Sequence, residues 1–221
     1  MSGQAAMAQY CALRRSFVLR KWIIALMALL AFGGVAEAKK KPKGGPQFTV
    51  VAPTPPVRPE DTWVLQLSTG GQVRMQLRPD RAPVHVDRIK LLTRAGYYDG
   101  LTFHRVIEGF MAQAGDPKGT GEGGSALPDL KAEFNDLPHL RGTLSMARTS
   151  APDTANSQFF ICFQPVMKLD NKYTVFGRVL SGMEFVDSIA RGEPPADPSR
   201  IVRAWIESDG PDAARVPLPA S

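Results

Sequence analysis

Apolar and polar positions alternate along most of the chain from Trp63 to Ile206. Val73, Met75 and Leu77 interleave with Gln72, Arg74 and Gln76, the pattern of a strand with one dry face and one wet face. Trp63–Leu67 reads as a strand before it, with Ser68-Thr69-Gly70-Gly71 as the hairpin turn between them. Further strands are predicted over Leu101–Ile107, Phe110–Ala114, Thr143–Ala147, Gln158–Phe163, Tyr173–Leu180 and Ile201–Ile206. The period changes twice. Pro83 suits the first position of a helix, Val86, Ile89 and Leu92 follow at helical spacing, and Gly96 can close the helix in a left-handed cap. A second short helix is predicted from Met183 to Ala190, ending near Gly192. Many short strands, long glycine-rich connections and two helices favour a mainly β fold, a closed antiparallel barrel whose open ends the helices plug or cover.

Two strands carry patterns that bear on function. Leu101, Phe103, Arg105 and Ile107 share a face by alternation, so Arg105 points the way its apolar neighbours point. Composition alone reads it as an edge arginine whose stem lies on apolar surface and whose head reaches water. In the other strand Gln158, Phe160 and Cys162 share one face and Phe159, Ile161 and Phe163 the other. A strand apolar on both sides belongs in a barrel wall covered by helix, and the glutamine there needs a reason.

The flanks read differently. Residues 1–38 have the form of an export signal: a basic head with Arg14, Arg15, Arg20 and Lys21, an apolar run from Trp22 to Val35, and Ala36-Glu37-Ala38 as a small-x-small cleavage site. At 14 residues the run is shorter than the roughly 20 that span hydrocarbon. Left uncleaved, it would be an anchor. Residues 39–59, rich in lysine, glycine and proline, form an extended linker, and residues 209–221, with Pro211, Pro217 and Pro219, an unstructured tail. The folded domain therefore occupies about 60–208.

Charge follows this division. The whole chain carries 27 basic and 21 acidic residues, or +6, which taken alone suggests nucleic acid or an anionic membrane. Cleavage after Ala38 removes four basic residues and one acidic one, leaving 23 against 20. Four of those 23 are Lys39, Lys40, Lys41 and Lys43, so from Gly44 onward the balance is 19 against 20. The excess belongs to export and linkage. A nucleic-acid partner loses its main support, and no membrane contact is expected once the leader is gone. An exported, periplasmic monomer is expected.

Other candidate chemistry is thin. Gly119-Thr120-Gly121-Glu122-Gly123-Gly124 has the spacing of a dinucleotide fingerprint, but Asp116-Pro117 precedes it and Pro128 soon follows, where a strand and a helix are required. It is expected to be a flexible surface loop. The histidines His85, His104 and His139 are scattered with no paired metal-ligand spacing, and no metal or cofactor is expected. Cys162, the only cysteine outside the leader, sits in an apolar run and reads as a small buried residue.

The run Phe103-His104-Arg105-Val106-Ile107-Glu108-Gly109-Phe110-Met111-Ala112-Gln113-Ala114-Gly115-Asp116 and the run Ser157-Gln158-Phe159-Phe160-Ile161 resemble the cyclophilin family of peptidyl-prolyl cis-trans isomerases. So do Leu144-Ser145-Met146-Ala147 and Val175-Phe176-Gly177-Arg178-Val179, and the likeness runs from about Asp61 to Ile206. The resemblance implies an eight-stranded antiparallel barrel capped by two helices, acting without metal or cofactor on X–Pro bonds of polypeptides. It reverses the reading of Arg105, which matches the family's catalytic arginine. Phe110, Met111, Phe160 and Leu169 match its proline pocket, Gln113 and Gln158 match residues that bind substrate backbone, and His104 and Ala147 line the groove. Two positions depart from the best-known eukaryotic members. Lys168 stands where they carry a tryptophan that helps bind cyclosporin, and Tyr173, still counted with the substrate-binding residues, stands where they carry a histidine. Weak cyclosporin inhibition follows. The alternative is a binding module or chaperone of the same fold, with isomerisation incidental.

Overall fold

A computed structural model describes residues 54–218. The leader over 1–38, the linker over 39–53 and the last three residues of the tail lie outside the described residues. Eight strands form one antiparallel sheet: β1 (Thr62–Leu67), β2 (Gln72–Leu77), β3 (Arg105–Ile107), β4 (Met111–Ala114), β5 (Thr143–Met146), β6 (Phe159–Cys162), β7 (Val175–Ser181) and β8 (Ile201–Ile206). Their order across the sheet is β3-β4-β6-β5-β7-β2-β1-β8. The helices are α1 (Pro83–Arg94) and α2 (Met183–Asp187).

The sheet curls until its edge regions meet, but β3 and β8 form no ladder. The seam is bridged just upstream of β3: the Phe103 N–H donates to the Ser199 carbonyl at 2.9 Å, and the Ile201 N–H to the Leu101 carbonyl at 2.8 Å. This corrects the predicted strand over Leu101–Ile107, of which only Arg105–Ile107 pairs as a strand. It also breaks the expected shared face. Phe103 is wholly buried in the barrel interior, whereas Arg105 and Ile107 face outward, because the alternation resets where the chain crosses the seam.

The interior follows the period-two pattern. Trp63, Leu65, Val73, Met75, Leu144, Phe159, Ile161 and Phe176 point into one cluster, which Val86, Ile89 and Leu92 of α1 and Val186 of α2 complete. Trp63 lies edge-on to Phe159 at 4.9 Å and to Tyr98 at 5.2 Å between ring centroids. The helices therefore close the interior. They do not cover the outer face of β6, where Phe160 and Cys162 instead gather Met111, Phe110, Leu169 and Tyr173 into a second cluster. That correction to the expected helical cover decides where the site lies.

Helix α1 has no capping side chain of its own at Ala82. Glu133 supplies the cap from a distant loop, its two carboxylate oxygens accepting the N–H groups of Val84 at 3.2 Å and His85 at 3.0 Å. The far end closes as expected at Gly96, with φ +74°: Gly96 N–H donates to the Thr93 carbonyl and Tyr97 N–H to that of Leu92. Helix α2 stops at Asp187, short of the expected Ala190, whose N–H turns to the Ser199 hydroxyl. The tail from Asp209 has no regular structure as far as Leu218, but it is tied down. The Val216 N–H donates to the Arg94 carbonyl at 2.9 Å, and Arg215 pairs with Asp99 and donates to the Thr93 carbonyl.

Candidate active site

The outward faces of three adjacent strands supply the site floor. Pairing register sets Arg105 of β3 beside Gln113 of β4, and Gln113 beside Phe160 of β6. One step along, Ile107, Met111 and Cys162 form a parallel row. Every second residue of a strand shares a face, so these two rows lie side by side. Phe110 comes from the turn ahead of β4 rather than from the strand, its N–H closing on the Ile107 carbonyl at 3.1 Å. Leu169 comes from the short 3-10 turn Met167–Leu169, and Tyr173 from the chain just after it.

These residues enclose a hollow of about 290 Å³. Arg105, Phe110, Met111, Gln113, Ala147, Phe160, Leu169 and Tyr173 all line it, so eight of the ten expected site residues meet there. A second hollow of about 470 Å³ adjoins it and shares Gln113, Gly121, Glu122, Ala147 and Arg148 with it. Together they form one groove. Gln158 lines the second part only, and His104 lines neither; it is buried beneath the groove, 5% exposed.

Gln158 also braces the groove from within. Its amide donates to the carbonyls of Gly121 at 2.9 Å and Gly123 at 2.7 Å, and its oxygen accepts the Gln113 amide at 2.8 Å. All of these partners are protein groups. The side chain is a strut that fixes the glycine loop to the site floor. That loop is pinned from below as well. Asp116, 1% exposed, accepts the N–H groups of Lys118 at 2.8 Å, Thr120 at 2.9 Å and Gly121 at 2.7 Å. Burial works against its charged form, yet these donors prevail and hold its carboxyl below the ordinary 3.8. The fingerprint-like segment is therefore a tethered groove wall rather than a flexible loop.

Arg105 is held from two sides. Its Nε donates to Glu193 Oε2 at 2.6 Å and its Nη1 lies 3.4 Å from Gln113 Oε1. Its Nη2 has no partner among the described residues. A chain of polar contacts thus crosses the floor from Glu193 through Arg105, Gln113 and Gln158 to the glycine loop. Sequence reading missed Glu193, 88 residues from Arg105, and no local signal marks it.

Cations also lie over the aromatic rim. The Arg148 guanidinium sits 4.4 Å from the Tyr173 ring centroid, and Lys168 Nζ 5.5 Å from that of Phe110. Behind the pocket His139 stacks on Phe160 at 6.1 Å and 15°. Its Nδ1 lies 2.8 Å from Asp170, and its Nε2 3.0 Å from the Ser145 hydroxyl. Burial pushes the imidazole below its ordinary 6.5, while the bond to Asp170 works the other way. His85 likewise meets Glu133, at 2.6 Å. His139 and His85 thus pair with carboxylates 31 and 48 residues away along the chain. Ser145, His139 and Asp170 have the order of a nucleophilic triad, but Ser145 and His139 are fully buried, so the set is a prop for Phe160. Cys162 is buried next to it, and burial pushes its thiol up to about 12, which makes it inert packing.

The family model described as cyclophilin type peptidyl-prolyl cis-trans isomerase matches residues 64–206. The chain belongs to that family. A probable peptidyl-prolyl cis-trans isomerase of Brucella suis is 48% identical over 167 residues, covering 68% of this chain and 85% of the relative. Peptidyl-prolyl cis-trans isomerase B of Bacillus subtilis is 44% identical over 129 residues, 58% of this chain and 89% of the relative. Among solved structures, a cyclophilin of Hirschia baltica superposes with a TM-score of 0.64 at 30% identity, covering 70% of this chain and 76% of its own. A Cryptosporidium parvum cyclophilin-type isomerase, crystallised in the presence of the dipeptide Ala-Pro, gives 0.62 at 30% identity over 66% of this chain and 98% of its own. The cyclophilin fold and peptidyl-prolyl isomerase activity therefore apply to this chain.

Proposed function

We propose that this cyclophilin isomerises X–Pro bonds by hydrogen-bonding the prolyl nitrogen from Arg105, with the proline ring held on Phe110, Met111, Phe160 and Leu169. The chemistry explains why an arginine matters. An X–Pro amide resists rotation by about 18–20 kcal/mol because its nitrogen lone pair is delocalised into the carbonyl. At the twisted transition state that lone pair localises and becomes an acceptor. A guanidinium N–H placed there bonds the transition state but not the planar ground state, and only such a difference accelerates the step. One charged hydrogen bond contributes about 1.5–3 kcal/mol, or roughly 10- to 100-fold in rate. No proton is transferred and no covalent bond forms.

The observation that carries this reading is Nη2 of Arg105, without a partner among the described residues, beside a hollow of about 290 Å³ that Phe110, Met111, Phe160 and Leu169 line. The Ala-Pro dipeptide used with the Cryptosporidium relative supports proline-containing peptides as substrates here. Gln113, Gln158 and the rim around Ala147 would orient the neighbouring backbone, and the buried His104 would act from beneath, as a support. A protease-coupled assay on a short X–Pro peptide tests this. Arg105→Ala is expected to lose about 10- to 100-fold in kcat/KM while its circular dichroism stays that of the parent. Equal activity in the variant rejects the mechanism. Suppression of client aggregation that survives Arg105→Ala would support a chaperone role instead. The basic head, apolar run and Ala-x-Ala site of residues 1–38 support export to the periplasm, which sequencing of the mature N-terminus would test; that the exported protein is a monomer would be tested by sizing in solution.

A further inference from the structure

Glu193 belongs to the connection between α2 and β8, a segment containing Pro194, Pro195 and Pro198 with neither helix nor strand between Asp187 and Ile201. Its carboxylate nevertheless meets the Arg105 Nε at 2.6 Å. The backbone explains why. Val106 and Gly192 exchange both N–H···O=C bonds, at 2.8 and 2.9 Å, as an isolated antiparallel bridge. In that register residue 193 faces residue 105, and facing side chains of an antiparallel pair lie on the same side. Gly192 permits the tight turn that carries Glu193. Its φ is +146°, and a Cβ there would stand 2.6 Å from Pro195 Cα and 2.8 Å from the Pro194 carbonyl oxygen.

The two side chains are 42% and 51% exposed, so their pairing contributes little to folding stability. Its effect is on direction. Arginine is planar, with its donors in a rigid fork, but it sits on a long stem with many rotamers. Here Glu193 engages Nε and Gln113 lies at Nη1, and fixing one edge of a planar group fixes where the remaining nitrogen points. That nitrogen is Nη2.

We propose that Glu193 is a positioning residue for the isomerase reaction: set opposite Arg105 by the Val106–Gly192 bridge, it holds the guanidinium with Nη2 free to meet the prolyl nitrogen of the twisting bond. The donor is then in place before the lone pair localises and needs no reorientation as the barrier is crossed. The inference rests on the Arg105 mechanism proposed above. Since the bond to the prolyl nitrogen forms in the transition state, loss of Glu193 should act on kcat and leave KM nearly unchanged.

The test is a cycle of Glu193→Ala, Glu193→Gln, Arg105→Ala and the double alanine variant, with kcat and KM measured by exchange NMR over a range of X–Pro peptide concentrations. Glu193→Ala is expected to lower kcat about 3- to 30-fold, less than the hundredfold that a one-ångström misplacement of a reacting group can cost. Glu193→Gln keeps an oxygen that accepts the Nε–H and should recover most of that loss. In the Arg105→Ala background, removing Glu193 should change nothing further. The exchange rate of the Arg105 Nε–H should rise with alanine at 193 and not with glutamine, a readout that a general weakening of the fold would not move selectively. The proposal is overturned by Glu193→Ala within twofold of the parent, by glutamine as poor as alanine, or by an equal loss with Arg105 absent. Full activity of Arg105→Ala would instead reject the underlying mechanism, so the two failures are distinguishable.

Discussion

At the scale of single residues, the groove depends on which polar groups are already engaged. Gln158 has its amide committed to Gly121, Gly123 and Gln113, whereas Arg105 keeps Nη2 unpartnered among the described residues. A donor already bonded in the resting protein cannot add a bond in the transition state without losing one. The rim offers a second residue-scale consequence. Where the best-known eukaryotic cyclophilins present an indole to cyclosporin, this chain has Lys168, its ammonium 5.5 Å from the Phe110 ring centroid. A strongly hydrated point charge cannot reproduce the flat apolar face of an indole. Cyclosporin is therefore expected to inhibit weakly, and nanomolar inhibition in the peptide assay would contradict this. Arg105 and the aromatic pocket were legible from the strings around them. Glu193 was not, because the contact depends on a bridge between segments 88 residues apart.

At the scale of elements, the helix α1 shows how a local signal needs a distant partner. The apolar spacing, Pro83 and Gly96 mark its extent well, but its N-terminal cap comes from Glu133. That carboxylate satisfies two N–H groups that would otherwise have no partner inside the helix, and it also bonds the buried His85. Glu133→Ala should destabilise the protein by about 1–3 kcal/mol, lowering Tm by about 2–4 °C for each kcal/mol. Isomerase activity at 25 °C should stay that of the parent, because Glu133 touches no groove residue. An unchanged melting temperature would refute the capping role. Strand identity was similarly legible for seven of the eight strands to within a residue or two, while β3 came out shorter than predicted. Alternation reports which residues face inward, but only the seam bonds at Ser199 and Ile201 show where that alternation resets.

For the whole molecule, burial of three histidines links stability to pH. Burial pushes His85, His104 and His139 below their ordinary 6.5. The unfolded chain takes up protons near that value and the folded one does not, so their contribution is present above pH 6.5 and lost as pH falls below it. Asp80, paired with Arg78, and Asp116, bonded to backbone N–H groups, have carboxyls below their ordinary 3.8. Their contribution is present above 3.8 and lost at lower pH, as they are protonated. Urea unfolding should therefore show stability falling in two stages, first from about pH 6.5 and again below about 3.8. A profile flat from pH 8 to pH 5 would refute the histidine stage.

The order of residues alone determined the two-faced strands, the inward set on most of them, the amphipathic helix and the strings that supply most of the groove lining. These depend on periodicity, and periodicity is a property of neighbours along the chain. The charge excess likewise resolved by position alone into residues 1–38 and the lysines of 39–43. What only the tertiary structure decided is which polar groups meet: Glu193 with Arg105, Gln158 with the glycine loop, Asp170 with His139, Glu133 with the start of α1. Hydrogen bonds and ion pairs act over a few ångströms in space, without regard to separation along the chain. Curling of the sheet brought Glu193 within reach of Arg105, and the packing of loops against it brought the others together.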